Sequence, residues 1–248
     1  LILAKHNFKQ TNTKQKMVKH IDNELKALND SLEQMWTLVF RQISKSRQAL
    51  FDCNRSLARE IIAREKMCNA LELKIDSQCE NFIALNNPVA IDLRLVLAVL
   101  KINNNLERIG DFAESVATFV LKDMNGKIDP ALGTNLRLEQ MFDCIENMFE
   151  LAHSAFEQED SKKAEAVFGI DNLVDEINHD AIGILAEQIR QEPSRCEEYM
   201  SLNHVIRKLE RIGDRCNNIA EETVFYLDAK VLKHSASKAT EIEQNTQE

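Results

Sequence analysis

The chain has 248 residues, 44 % of them hydrophobic and 29 % charged, with a formal net charge of −9. That acidic balance, with no Lys/Arg run against it, excludes nucleic acid as an expected partner. No stretch approaches the ~20 uninterrupted apolar residues that a membrane-spanning helix needs. With only 6 Gly and 3 Pro, the turn punctuation that a sheet-rich fold requires is missing, and long helices are expected instead. Six cysteines (Cys53, Cys68, Cys79, Cys144, Cys196, Cys216) without a C-x-x-C pair suit reduced thiols in a cytoplasmic protein.

The first helix is expected from about Met17 to Leu50 and the second from about Cys53 to Leu85. Asn87-Pro88 reads as a cap followed by a first-turn proline, opening a third helix that runs to about Met124. Asn125-Gly126 breaks the pattern. Asp129-Pro130 then opens a fourth helix to about Glu157, and Gln158 to Asp160 forms a polar turn. The fifth helix continues to about Arg190, and Pro193 starts a sixth that reaches about Leu227. Residues 1–15 and 235–248 are expected as flexible tails.

In the third segment Val99, Ile102, Leu106, Ile109, Ala113, Val116 and Val120 recur alternately three and four apart, the spacing of a bundle seam. The string Leu106-Glu107-Arg108-Ile109-Gly110-Asp111 returns unchanged as Leu209-Glu210-Arg211-Ile212-Gly213-Asp214. Both copies lie mid-way along the last helix of a three-helix set, which implies duplication of the whole unit. The predicted fold is therefore all-α: two tandem three-helix bundles related by internal pseudo-symmetry, over residues 16–125 and 129–234.

On a helical wheel Glu107, Asp111 and Glu114 form one stripe, with Gly110 between that stripe and the apolar seam. The second copy keeps Glu210 and Asp214 and follows them with Asn217 and Asn218. The preceding helix of each half adds acids four apart: Glu72 and Asp76 in the first half, with Glu65 and Asn69 earlier, and Asp171 and Asp175 in the second. If the helices lie antiparallel, each half faces two carboxylate pairs across a shallow surface, an array that suits hard cations, or iron and zinc bridged by carboxylates. Arg108, Arg207 and Arg211 stand three residues before Asp111, Glu210 and Asp214, so spacing alone leaves solvated, salt-bridged faces open as a reading.

At these residues the sequence resembles the PhoU family. The first half carries Pro88-Val89-Ala90, Asp92-Leu93-Arg94-Leu95-Val96 and Leu106 to Asp111. The second ends Asn218-Ile219-Ala220-Glu221-Glu222, Val224-Phe225-Tyr226-Leu227 and Lys233-His234. The resemblance spans Lys16 to His234. It implies a non-enzymatic negative regulator of phosphate uptake and of the phosphate-starvation response. Its implied partners are the ATPase subunit of a phosphate ABC transporter, a membrane sensor histidine kinase and a second copy in a homodimer, with membranes reached only through those partners. It also implies a multinuclear iron or zinc cluster, or another divalent cation, on paired acidic motifs. Those motifs fall on Glu72, Asp76, Glu107, Asp111, Asp171, Asp175, Glu210 and Asp214, with Glu114, Asn217 and Asn218 as additional ligands. Asn69 and Ser115 depart from the pattern in the first half.

The rival reading is a carboxylate-bridged di-iron helical-bundle enzyme, suggested by two Glu-x-x-His steps, Glu150 to His153 and Glu176 to His179. Both steps lie in one half. No Gly-rich phosphate loop is present, and no cysteine has an evident base partner. Trp36 and Phe40 are expected in the core.

Overall fold

The structure, a computed structural model, describes the backbone of residues 2–229 and the side chains of residues 21–229. Seven α-helices make up the described chain: α1 Ile2–Asp52, α2 Arg55–Asn86, α3 Ala90–Lys122, α4 Pro130–Asn135, α5 Leu138–Glu157, α6 Ser161–Gln191 and α7 Cys196–Asp228, with a 3-10 turn at Pro193–Arg195 before α7. Among the described residues no helix is long and apolar enough to cross a membrane. The expected tail at 235–248, and the Lys233-His234 end of the resemblance, lie outside the described residues.

Helix α1 begins at Ile2 and takes in residues 2–15, which the sequence assigns to a tail. Neither Pro nor Gly interrupts the chain before Asp52. Asn87 corrects another boundary. It is left-handed (φ 45°) and closes α2 as a C-cap, and extended Val89, without a side-chain cap, precedes α3. Asn tolerates the left-handed region better than most side chains, and the proline that follows cannot continue the helix. The expected fourth helix is two pieces, because Arg137 is left-handed (φ 52°) and breaks it after α4. Its guanidinium reaches Glu176 and Asp180 of α6, each at 2.8 Å. Asp129 behaves as expected: its Oδ1 accepts from the N–H groups of Ala131 and Leu132 at 2.9 and 3.0 Å, with Pro130 in the first turn.

The long helices form the two tandem three-helix bundles, α1–α2–α3 and α5–α6–α7. Their contacts run in opposite residue order, so neighbours are antiparallel. Lys45 meets Glu60 while Asn86 meets Glu24 across α1 and α2, and Arg137 meets Asp180 while Lys163 meets Ser154 across α5 and α6. The predicted seam is buried throughout, from Val99 to Val120 on α3, and Ile206, Leu209, Ile212, Cys216, Ile219 and Ala220 continue it on α7.

Helices α3 and α7 pack against each other and join the halves. Arg94 Nε donates to the Tyr226 carbonyl at 3.2 Å, and Lys101 reaches Glu222 at 2.9 Å. Lys208 lies over the Phe112 ring at 5.1 Å. Helix α1 also touches α5, where Trp36, 1 % exposed, meets Phe149 edge-on at 4.9 Å. Phe40 stacks on the same Phe149 ring. All six cysteines are free.

Candidate functional site

The two acidic faces lie where α2 meets α3 and where α6 meets α7, and a glycine fixes the approach of each helix pair. A Cβ at Gly213 would stand 2.9 Å from Asp171 Oδ1, 3.6 Å from Val174 and 3.7 Å from Met148 Cε. A Cβ at Gly110 would stand 3.3 Å from Cys68 Sγ and 3.9 Å from Gln42 Oε1. The two glycines occupy the same place in the repeated string, so Cys68 is the structural counterpart of Asp171. The same separation pairs Glu72 with Asp175. Matching Glu72 and Asp76 to Asp171 and Asp175, as acidity alone suggests, sets α2 one turn out of register with α6.

In the second half Glu210 and Asp171 are half-buried, while Asp175 and Asp214 are exposed. Burial first, and then the negative charges of Asp214, Asp175 and Asp171, push the Glu210 carboxyl up to about 7, against the opposing pull of Arg211. Asn217 is 1 % exposed. Its Nδ2 donates to Asp171 Oδ2 at 2.5 Å, and its own carbonyl oxygen is buried without a hydrogen-bond partner. Asn217 and Glu210 of α7 thus face Asp171 and Asp175 of α6. Asn218 does not join them: its amide turns to Asn105 of α3 across the junction of the halves, at 3.4 Å.

In the first half burial and the neighbouring charges of Asp111, Glu72 and Glu65 raise Glu107, with Arg108 opposing. Glu114 is raised in the same way by burial, Glu65 and Asp111, and Glu72 by burial, Asp76 and Asp111, partly relieved by Arg108. Glu65, which pairs with Asn69 on its own helix, therefore shares the face. Arg108 lies 3.5 Å from Glu107 and 3.3 Å from Asp111, so one expected ion pair does form. Asp76 sits at the margin, where it accepts a hydrogen bond from Asn103 Nδ2 at 2.9 Å. Two elements of this face went unread in the sequence: Cys68, and Gln42 of α1, whose Nε2 donates to Cys68 Sγ at 3.3 Å.

Among the described residues no three His, Cys, Asp or Glu side chains, as placed, lie close enough together to hold an ion. This applies equally to the two Glu-x-x-His steps. His153 Nε2 meets Glu33 of α1 at 2.9 Å and its ring lies on Trp36, while Glu176 is taken up by Arg137. They are not gathered into a di-iron ligand set.

The PhoU domain model matches this sequence twice, over residues 32–120 and 138–223, one match per bundle. The chain belongs to the PhoU family. Among PhoU relatives, the phosphate-specific transport system accessory protein PhoU homolog of Aquifex aeolicus is 31 % identical over 215 residues, covering 87 % of this chain and 96 % of that protein. PhoU homolog 1 of Thermotoga maritima is 29 % identical, with 86 % and 91 % covered. The crystal structure of PhoU from Pseudomonas aeruginosa superposes with a TM-score of 0.79 at 28 % identity, covering 84 % of this chain and 99 % of that one. The phosphate transport system regulatory protein PhoU from Streptococcus pneumoniae gives a TM-score of 0.75 at 25 % identity, with 86 % and 99 % covered.

Tested against the metal cluster that the resemblance leads one to expect, the two faces differ in the donors they offer. The second offers four carboxylates, Asp171, Asp175, Glu210 and Asp214, and the unpartnered buried oxygen of Asn217. That all-oxygen donor set fits a hard or borderline divalent cation. The first does not repeat it, because a thiol stands where Asp171 stands.

Proposed function

We propose that this protein is a non-enzymatic regulator of phosphate uptake that damps the phosphate-starvation response. It acts from the cytoplasm through contacts with the ATPase subunit of a phosphate ABC transporter and with a sensor histidine kinase, as a homodimer. The observation that carries this reading is the PhoU domain match on both bundles, together with relatives of nearly the same extent that are named phosphate-specific transport system accessory proteins.

The acidic faces give such a regulator a means of responding to a cation. On the second face Asp171, Asp175, Glu210 and Asp214 would hold iron, zinc or another divalent ion, with Asn217 as a neutral oxygen donor. When bound, the ion supplies the positive charge that these crowded carboxylates lack. Glu210 and Asp214 come from α7, the helix that also joins the halves, so a bound ion would link α6 to the helix at that junction. On the first face Glu72, Glu107, Asp111 and Glu114 offer the corresponding oxygens, and Asp76 stays with Asn103.

Metal analysis of protein purified without an affinity tag or chelator tests the cation part of this account. Iron or zinc retained by the native chain, and absent when Asp171, Asp175, Glu210 and Asp214 are replaced by Ala, supports it. A metal-free native chain that still co-purifies with the transporter ATPase would leave a bare protein adaptor.

A further inference from the structure

The outer groove between α1 and α2 carries a charge opposite to that of the whole chain. Leu38 and Leu71, both half-buried, form its apolar floor, and Met67, 58 % exposed, stands over it. Arg41, Arg64 and Lys74 rim the opening, which encloses about 700 Å³. The chain around it is acidic, with a formal net charge of −9. Arg64 is held by Glu60 at 2.9 Å, whereas Arg41 and Lys74 form no ion pair or hydrogen bond among the described residues. Glu33, the acidic residue of the rim, already meets His153 Nε2 at 2.9 Å. Unpaired cations around an apolar floor are the complement of an apolar stripe flanked by carboxylates.

Both walls are helices, so the groove is straight. The α1 wall runs from Glu33 to Arg41 and the α2 wall from Arg64 to Lys74, and the antiparallel pairing brings the Arg41 end beside Arg64 and the Glu33 end beside Lys74. At 1.5 Å per residue the walls are about 12 and 15 Å long, which accommodates two to three turns of a docked helix. A helix seated this way anchors itself through side chains at i, i+3 or i+4, and i+7. Ala70, exposed and small, leaves room for its backbone, and the unbranched thioether of Met67 adapts to the side chains it meets.

We propose that the α1–α2 groove docks an acidic amphipathic helix of a partner protein, its apolar stripe on Leu38, Met67 and Leu71 and its carboxylates on Arg41, Arg64 and Lys74. This rests on the reading of the protein as a regulator that acts through protein contacts. Two of the three cations, Arg41 and Arg64, share one end of the groove. The C-terminus of the docked helix lies there, where its free carbonyl groups are negative.

A photo-crosslinking residue, p-benzoylphenylalanine, in place of Met67 captures the occupant when cells grown in phosphate-rich medium are illuminated. Mass spectrometry of the crosslinked peptide then reads its sequence. The same residue in place of Ile182, 60 % exposed on α6, serves as the control. The expected product at position 67, absent at 182, is a segment of another protein with apolar residues three and four apart and Asp or Glu on both flanks. A synthetic peptide of that segment should bind the purified full chain in fluorescence anisotropy. Joint Arg41→Glu and Lys74→Glu substitution, checked for native helicity, should weaken it about 10- to 100-fold, and a peptide with Lys in place of its acids should regain the loss. Crosslinks at position 67 to a second copy of this chain, to lipid or to a segment without acids overturn the proposal. So do a lack of any crosslink there and an affinity that charge reversal leaves unchanged. A chain without the expected crosslink that still represses a phosphate-responsive reporter loses the groove and keeps the proposed function. One that captures the acidic helix and leaves the reporter on keeps the groove and loses that function.

Discussion

Replacing Gly213 by Ala places a methyl carbon 2.9 Å from Asp171 Oδ1, closer than side-chain carbons approach such atoms, with Val174 and Met148 closing the space behind. An added Cβ in a helix interior is ordinarily worth about 0.8 to 1 kcal/mol of stability. Here Asp171 must turn away, and the buried Asn217 amide loses its charged acceptor. A hydrogen bond to a charged group contributes about 1.5 to 3 kcal/mol, so the net effect is a loss of about 0.5 to 2 kcal/mol. Gly183, on the exposed face of α6, has nothing within 4 Å of an added Cβ, and Gly183→Ala should show the full gain of about 1 kcal/mol. Gly110→Ala meets Cys68 Sγ at 3.3 Å and should fall between them. Urea denaturation followed by circular dichroism ranks the three, with midpoints in the order Gly183→Ala, Gly110→Ala, Gly213→Ala. A Gly213→Ala protein as stable as Gly183→Ala would refute the claim that this glycine exists to admit the Asp171 carboxylate.

Glu198, 7 % exposed, is gripped by Arg195 at 3.0 and 3.1 Å and by Asn125 at 3.2 Å, tying α7 to the linker between the halves. Burial alone would push its carboxyl up, but the Arg195 guanidinium and the Asn125 amide outweigh burial and hold it below the usual carboxylate range. Its stabilising contribution is therefore complete above the unfolded carboxylate value and is lost as pH falls through the lower folded value. Glu198→Gln should cost about 1 to 3 kcal/mol at pH 7, and the gap from the native chain should close in acid melts; a gap that widens in acid contradicts this. Phe149, 2 % exposed, packs on both Trp36 and Phe40, so Phe149→Ala should cost about 3 to 5 kcal/mol. It should also shift Trp36 emission to the red before unfolding, which fluorescence melts read directly. Arg137→Gly relieves a left-handed residue while Arg137→Ala does not. Both lose the pairs to Glu176 and Asp180, so the Gly variant should melt above the Ala variant by about 1 kcal/mol.

The helical architecture was legible because its signals are local and strong. The seam from Val99 to Val120 is periodic, Asp129-Pro130 caps and starts a helix as its chemistry requires, and the repeated string around Gly110 and Gly213 announces the duplication. Asn87 was misjudged because Asn serves at both ends of a helix, and only its left-handed backbone shows which one it closes. The break at Arg137 has no sequence signal, since the side chains its guanidinium pairs with lie 39 and 43 residues away. The acidic stripes of α3 and α7 could be placed from a wheel. Their partners on α2 could not, because Glu65, Glu72 and Asp76 offer several acidic alignments against α6. The contact of Gly110 with Cys68, set beside that of Gly213 with Asp171, selects one of them. A search for acids passes over the thiol, and Gln42 reaches it from a different helix.

Expression of a phosphate-responsive reporter in phosphate-rich medium, in cells whose only copy of this protein carries Glu210→Ala and Asp214→Ala, tests most directly that the acidic faces act in phosphate regulation. The account predicts a protein present at native level, with native helicity, that leaves the reporter switched on. Full repression by that variant would contradict it.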